Sequence, residues 1–315
     1  MTIDEILVSV IIPTHKRYET LFRALDSLIN QTHKKLQIIV VDDNYDNESL
    51  RTLIKRKIES IDDRVIYITP DQKLGMANAE NIGIRLAEGE YIAFLDDDDV
   101  YYPEKIEKQL RHFLDAADER LGLVYCFGKI IYPNKSFEYE ETDVSGIHLA
   151  EHMMNNVAGT SFWLCKKKAL VDVGLFEPIG AHNDGVVILK LMAKGYTVDL
   201  VKECLVDYYV HKASEGITAI NYNTLKADTD YLQICKRYFH LLTNSERKKV
   251  LDHYYDDRNW NLIIIGDYQR CLNDFIEMRD LNISVTTRIK CRLRLALKKY
   301  IRQKEEKRLI SRGLQ

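Results

Sequence analysis

No stretch of this 315-residue chain is long and apolar enough to span a bilayer; runs such as Leu262-Ile263-Ile264-Ile265 end after a handful of residues. The N-terminus lacks the basic, then apolar, then small-residue pattern of a secretory leader, so the chain is expected in the cytoplasm. Six cysteines lie at wide, irregular intervals with no C-x-x-C pair, which argues against a zinc site or a disulfide framework and for reduced, buried thiols. Only five prolines accompany 46% apolar residues, a balance that supports a sizeable core rather than disorder. A net charge of −3 gives no general attraction for polyanions, and no nucleic-acid partner is expected. Other absences concern chemistry. No G-x-G-x-x-G follows a strand, which argues against a dinucleotide cofactor, and no G-x-x-x-x-G-K-[ST] is present for a P-loop. No Ser or Cys stands in a nucleophile elbow, and the histidines form no triad-like pattern.

What is present begins with an α/β grammar. Residues 7–12, 36–41, 65–68 and 91–95 are short β-rich runs separated by helical segments, which predicts βαβ units and a Rossmann-like, mainly parallel sheet flanked by helices. Leu21, Ala24, Leu25 and Leu28 recur at helical spacing, as do Leu50, Leu53, Ile54 and Ile58. Gly75 and Gly83 bracket a third helix beginning near Ala77, closed before Gly89. After Pro103 the pattern becomes mixed: a helix near 104–116, strands over 124–131 and 205–210, and a helix over 182–194. From residue 221 helical patterns dominate. We therefore expect a domain over 1–220, with a nucleotide-binding half to about 103 and an acceptor half over 104–220, followed by a helical extension over 221–315.

The wholly apolar run Tyr91-Ile92-Ala93-Phe94-Leu95 leads directly into Asp96-Asp97-Asp98-Asp99. Four adjacent carboxylates repel one another unless water or a cation neutralises them, and the anchored end of a buried strand favours a divalent cation over a solvated acidic turn. The run lacks the alternating ligands and central Gly of an EF-hand. A second pair, Asp42-Asp43, ends the second strand, so both clusters fall on one sheet edge, where ligands of open parallel sheets collect. Either aspartate can accept hydrogen bonds from a base or ribose; Asp42 can equally cap the next helix.

The segments Ser9-Val10-Ile11-Ile12-Pro13-Thr14-His15-Lys16-Arg17, Ser27–Thr32, Val41-Asp42-Asp43-Asn44 and Gly89–Asp98, in that order, resemble the family 2 glycosyltransferases of the GT-A fold over roughly residues 7–215. The resemblance implies inverting transfer of a sugar from a nucleoside-diphosphate sugar to an acceptor hydroxyl, with Mg²⁺ or Mn²⁺ as cofactor. It further implies Asp98 as main metal ligand, Asp96 at the ribose or a metal-bound water, and Asp97 within the same donor-binding motif. Pro13, Thr14 and Asp43 match positions around the nucleoside, with Asp43 preferred to Asp42 for the base. Gly75–Gly83 matches the N-x-x-x-N-x-G stretch through Asn78 and Asn81, either as diphosphate contacts or as helix caps, but Glu80 stands where Arg is common. Val173–Pro178 followed by His182-Asn183-Asp184-Gly185 resembles the stretch leading to the family's E-D motif, with Asn183 in place of Glu; Asp184 then matches the catalytic base. His211 matches a V-H-x-x-S segment and would complete the metal shell or, with Lys212, contact phosphate. Phe162 and Trp163 either floor an acceptor sugar or pack in the core.

Residues 288–312 carry eleven Lys or Arg against Glu305 and Glu306, with Ile289, Leu293, Ala296, Leu297, Tyr300 and Ile301 on one helical face. Such a basic amphipathic helix suits peripheral attachment of residues 286–312 to an anionic membrane and a glycan or lipid-linked glycan acceptor in surface-polysaccharide assembly. Packing on its own domain or a homodimer contact are the alternatives. The rival functions are a nucleotidyltransferase on a similar fold, which normally carries a Gly-rich basic loop that Pro13–Arg17 does not supply, and a non-catalytic metal- or nucleotide-binding module.

Overall fold

Strands β1 (Val8–Thr14), β2 (Leu36–Asp42), β3 (Val65–Ile68) and β4 (Tyr91–Phe94) alternate with α1 (Glu19–Ile29), α2 (Glu48–Ile58) and α3 (Met76–Leu86) in the computed structural model, which describes residues 2–139, 143–210 and 220–314. All four strands run parallel in the order β3-β2-β1-β4, and register pairs Thr14 with Asp42 and Ile11 with Phe94. Their Val- and Ile-rich sequences follow from burial on both faces, since Val10, Ile11, Ile12, Ile38, Ile39 and Val40 are all inaccessible. On α1 the expected stripe is buried. On α2 only Ile54 and Ile58 are, and Leu53 is 53% exposed because this helix flanks the thinly covered edge strand β3.

Two glycines set α3. Gly75 precedes it at φ +72°, a left-handed conformation that favours glycine. Gly83 lies inside the helix rather than at its end, and a Cβ there would overlap the Ile11 side chain, so α3 rides close on β1.

The second half is mixed. β5 (Val100–Tyr101), α4 (Lys105–Asp115), β6 (Leu121–Tyr132), β7 (Lys135–Tyr139), α5 (Leu149–Met154), β8 (Leu164–Lys166), α6 (Lys167–Asp172), α7 (Asn183–Lys194) and β9 (Thr197–Tyr209) follow in chain order. The sheet continues β4-β8-β6-β9-β5, with β7 paired to β6; β8 is antiparallel to both neighbours, while β6 and β9 are parallel. The sheet is thus parallel across its first four strands and mixed beyond them. β9 begins eight residues before the apolar run 205–210: its first half is largely buried but carries Asp199, Lys202 and Glu203 among its apolar residues.

Helices α8 (Tyr222–Arg237), α9 (Asn244–Ile265), α10 (Tyr268–Asp280), α11 (Val285–Ala296) and α12 (Lys298–Arg312) complete the chain. α8 and α9 continue the body: Leu232, Cys235 and Val250 pack with Met153, Val186 and Leu189 of α5 and α7. The basic tail is two helices with a break at Leu297, not one. Ile301 turns inward against Leu262 and Ile263, whereas Ile289, Leu293, Leu297 and Tyr300 face outward and are each more than half exposed. Among the described residues no helix is long and apolar enough to cross a membrane. All six cysteines are free, and all but Cys204 are buried.

Candidate active site

Because β1, β2 and β4 are parallel and in register, Thr14, Asp42-Asp43 and Asp96–Asp99 emerge together at one edge of the sheet. The four aspartates divide there into two sets. Asp97 turns toward the β1 loop: its carboxylate accepts from Thr14 Oγ1 at 2.6 Å and from the His15 N–H at 3.3 Å, and pairs with Arg17 Nη1 at 2.8 Å. Arg17 also pairs with Asp98. Its loop is turned by Lys16, at φ +60°, whose N–H donates to Asn44 Oδ1 at 2.7 Å. Asp96, Asp98 and Asp99 form the other set, each offering one carboxylate oxygen within 4.8 Å of the others.

These three fit a hard divalent cation. The donors are all carboxylate oxygens, and Asp99 Oδ2 is buried with no hydrogen-bond partner. Burial, reinforced by Asp98 and Asp97, raises the pKa of Asp96; burial with Asp96 raises that of Asp99. The surroundings hold the cluster rigidly. Tyr209 at the end of β9 donates its N–H to Asp99 Oδ1 at 3.0 Å, Arg23 donates to the Asp98 carbonyl at 2.6 Å while lying 3.9 Å from the Tyr209 ring centroid, and the Asp96 N–H donates to Ser161 Oγ at 3.1 Å. Arg17 and Asp99 went unassigned in the sequence. The Lys16-Arg17 pair in the first loop after a strand, with an acid run ending a neighbouring strand, was the available signal for Arg17.

Asp43 accepts the N–H groups of Leu74 and Gly75 at 2.6 and 2.9 Å, so its carboxylate fixes the entry to α3. Asp42 does not cap α2, a role taken by Asn47; it accepts from Asn44 and from the Tyr67 hydroxyl. Pro13 is half-buried on β1 opposite Val41. Asn78 is exposed and donates to the Leu74 carbonyl at 2.9 Å, a helix-entry contact. Asn81 instead bonds the Phe176 backbone in both directions, donating at 3.0 Å and accepting at 2.9 Å. It thereby staples α3 to the segment that leads to α7.

A cavity of about 360 Å³ opens beside this edge. Asp96, Glu80, Thr160, Ser161, Phe162 and Asp184, the last in the first turn of α7, line it together. Asp184 is half-buried; its Oδ2 accepts from Asn156 Nδ2 at 2.7 Å and its Oδ1 from the Gly185 N–H at 2.8 Å. Burial raises its pKa, partly offset by those hydrogen bonds and by His182. Asn183 closes the loop before it, accepting from the Ile179 N–H at 3.1 Å. His182 sits at φ +62°, with Nε2 2.8 Å from Asp228 Oδ1 on α8 and its ring stacked on Tyr231. Beneath them, buried His152 on α5 donates Nε2–H to the Gly185 carbonyl at 2.7 Å, and burial lowers its pKa to about 4. Thr224, Asp228 and Asn261 of α8 and α9 also line the cavity.

Glu80 is 1% exposed, Oε2 has no partner, and burial with Asp96 and Asp184 nearby raises its pKa well above the ordinary range. Trp163 does not floor the cavity: it is fully buried, bonded through Nε1 to the Ala158 carbonyl at 3.0 Å and stacked on Phe176. The 3-10 turn Thr160–Phe162 lines the cavity, and the chain leaves it with Trp163 in the core. His211 and Lys212 lie outside the described residues.

Residues 9–162 match the family described as Glycosyl transferase family 2. An uncharacterized glycosyltransferase of Methanocaldococcus jannaschii is 27% identical over 235 residues, covering 71% of this chain and 79% of its own. TuaG of Bacillus subtilis, provisionally named a teichuronic acid biosynthesis glycosyltransferase, is 26% identical over 210 residues, covering 64% and 78%. Among solved structures, S. aureus TarS 1-349 in complex with UDP aligns over 91% of each chain with a TM-score of 0.56 at 16% identity. The same protein with UDP-GlcNAc aligns over 95% of this chain and 91% of its own, with a TM-score of 0.55 at 14% identity. At such identities the likeness speaks to the fold, a mixed α/β GT-A type with a helical C-terminal region.

Proposed function

The chain belongs to glycosyltransferase family 2, and from that premise we propose that it catalyses inverting transfer of a sugar from a nucleoside-diphosphate sugar to an acceptor hydroxyl in surface-glycan assembly. The observation that carries this reading is one cavity lined both by Asp96 of the acid cluster and by Asp184, a carboxylate outside that cluster and held by Asn156 and the Gly185 N–H. An inverting displacement needs a leaving-group site and a base on opposite sides of the sugar. Asp96 and Asp98, joined by Asp99, would hold Mg²⁺ or Mn²⁺, which when bound supplies Lewis-acid stabilisation of the departing diphosphate. His211 is proposed as a further ligand from its sequence match alone. Pro13, Thr14 and Asp43 border the nucleoside, and Asp97, clamped by Thr14 and Arg17, orients the loop between nucleoside and cation sites. A uridine nucleotide is the first candidate, since the TarS complexes contain UDP and UDP-GlcNAc.

Asp184 takes the proton from the acceptor hydroxyl as that oxygen attacks the anomeric carbon and the bond to the diphosphate breaks. Asn156 and the Gly185 N–H fix the carboxylate orientation; burial raises its basicity above that of an ordinary aspartate. We divide the chain by order into a transferase domain over 1–220 and a helical extension over 221–315. Thr224, Asp228 and Asn261 give that extension a share of the acceptor side. The test is Asp184→Asn in a Mn²⁺-containing assay with a panel of nucleotide sugars: donor binding persists and transfer falls by about 10²–10⁴-fold. In the unaltered enzyme, transfer should fade as pH drops through a value above the ordinary aspartate pKa of 3.8. Unchanged transfer in the variant would remove Asp184 from the mechanism.

We further propose that the outer face of the tail rests on an anionic membrane. Val285, Ile289, Leu293, Leu297 and Tyr300 form a continuous exposed row, flanked by Arg292, Lys299 and other cations of the basic tail. Flotation with phosphatidylglycerol vesicles should be lost in Ile289→Glu/Leu293→Glu. Equal flotation of both forms ends the membrane proposal, and concentration-dependent self-association that the double variant abolishes would assign the row to a homodimer.

A further inference from the structure

Glu80 is the buried acid that the proposed reaction leaves without a task. It lies one turn into α3, whose start is fixed by Gly75 and Asp43 and whose later turn is pinned by Asn81 to Phe176, so its position is not free to relax. The residue is 1% exposed, its Oε2 has no hydrogen-bond partner, and it lines the same cavity as Asp96 and Asp184. A buried carboxyl oxygen left unsatisfied is destabilising, and such groups in folded proteins ordinarily have a partner. Here the cavity is where a partner can enter.

We infer that Glu80 is a specificity-determining residue that hydrogen-bonds a hydroxyl group of the transferred sugar and restricts the donor to uncharged, hydroxyl-bearing sugars. The inference rests on reading the cavity as the donor site. In a displacement the transferred group lies between leaving group and nucleophile, hence between the acid cluster and Asp184, and Glu80 is within electrostatic reach of both. The diphosphate is already assigned to the cation that Asp96 and Asp98 would hold, which leaves the transferred sugar as the partner for Glu80. A sugar hydroxyl both donates and accepts and satisfies the carboxyl in either protonation state. A uronate would bring a further carboxylate against three acids, and a deoxy sugar would leave the oxygen unpaired; a site built to bond a hydroxyl rejects both.

The experiment is titration calorimetry with Mn²⁺, using UDP, UDP-glucose, UDP-galactose, UDP-N-acetylglucosamine and UDP-glucuronate against the unaltered chain, Glu80→Gln and Glu80→Met, with circular dichroism confirming that each variant is folded. The unaltered chain should bind its best neutral sugar nucleotide at least about tenfold more tightly than UDP-glucuronate. Glu80→Met should lower neutral-sugar affinity by about tenfold or more while UDP affinity stays within about twofold. Glu80→Gln, which keeps shape and hydrogen-bonding capacity, should retain the neutral sugar and lose the discrimination against glucuronate. If UDP binds but both variants keep the original sugar ranking, the inference falls while the donor-site reading stands; the Gln variant decides this even if the Met variant does not fold. If no uridine compound binds, the uridine donor-site reading fails and the assignment of Glu80 falls with it.

Discussion

Lowering the pH should weaken this fold through His152, and the size of the effect follows from where the ring sits. His152 is fully buried between α5 and the start of α7, its Nε2–H bonded to the Gly185 carbonyl and its Nδ1 without a partner. A second proton would have to enter on Nδ1 in a dry site, so burial moves the pKa from 6.5 to about 4. Between those values the unfolded chain binds the proton and the folded chain does not. Stability is therefore full above pH 6.5 and falls as pH drops toward 4, by about 1.4 kcal/mol per pH unit inside the window and roughly 2 kcal/mol between pH 7 and 5. Buried Glu80 and half-buried Asp184, with raised pKa values, act in the opposite sense, so total stability is the wrong readout. The difference between the unaltered chain and His152→Gln isolates the ring, because the acids cancel. Urea unfolding of both proteins at half-unit steps from pH 7.5 to 4.5 measures it. The stability advantage of histidine over glutamine should shrink by roughly 2 kcal/mol from pH 7 to 5. Curves that stay parallel within about 0.5 kcal/mol would refute the assignment of a neutral, desolvated imidazole beneath Asp184.

Asn81→Ala strands the buried N–H and carbonyl of Phe176 and should cost about 2–4 kcal/mol in urea unfolding, with a larger proportional loss in transfer rate than in donor affinity because the segment it releases leads to Asp184. A loss below about 0.5 kcal/mol would mean that water replaces the amide. Arg17→Gln removes the cation bridging Asp97 and Asp98, so the apparent melting temperature should rise more steeply with added Mn²⁺ than in the unaltered chain. Equal Mn²⁺ responses in thermal-shift assays would dismiss the idea that Arg17 shares the neutralisation of the cluster.

How much of this was legible depended on whether the signal was local. Strands β1, β2 and β4 announce themselves because burial on both faces demands continuous Val, Ile, Leu or Phe, and their parallel register brings Asp43 and Asp96 to one edge. The sheet beyond β4 was less legible, since β8 is three residues long and Asp199, Lys202 and Glu203 interrupt the apolar pattern in the first half of β9. Individual roles along the Asp run were hidden for another reason. A tight turn after β4 sends Asp97 toward Thr14 and Arg17 and brings Asp99 back beside Asp96, and residue order alone does not encode that turn. The break at Leu297 was likewise invisible, because the helical repeat continues through it while Ile301 is drawn inward by Leu262 and Ile263, far back along the chain on α9.

The hydrogen bond from His182 to Asp228 has a consequence for anyone recombining such proteins. It ties the turn that presents Asp184 to a helix lying wholly beyond residue 220, and Tyr231 of the same helix supports the imidazole. A chimera spliced at that point, joining this N-terminal portion to the tail of a relative, would inherit the acid cluster complete and Asp184, the proposed base, with its buttress exchanged. Modularity along the chain is therefore not modularity of the reaction. A functional graft would have to carry Asp228 and Tyr231 with the turn they brace.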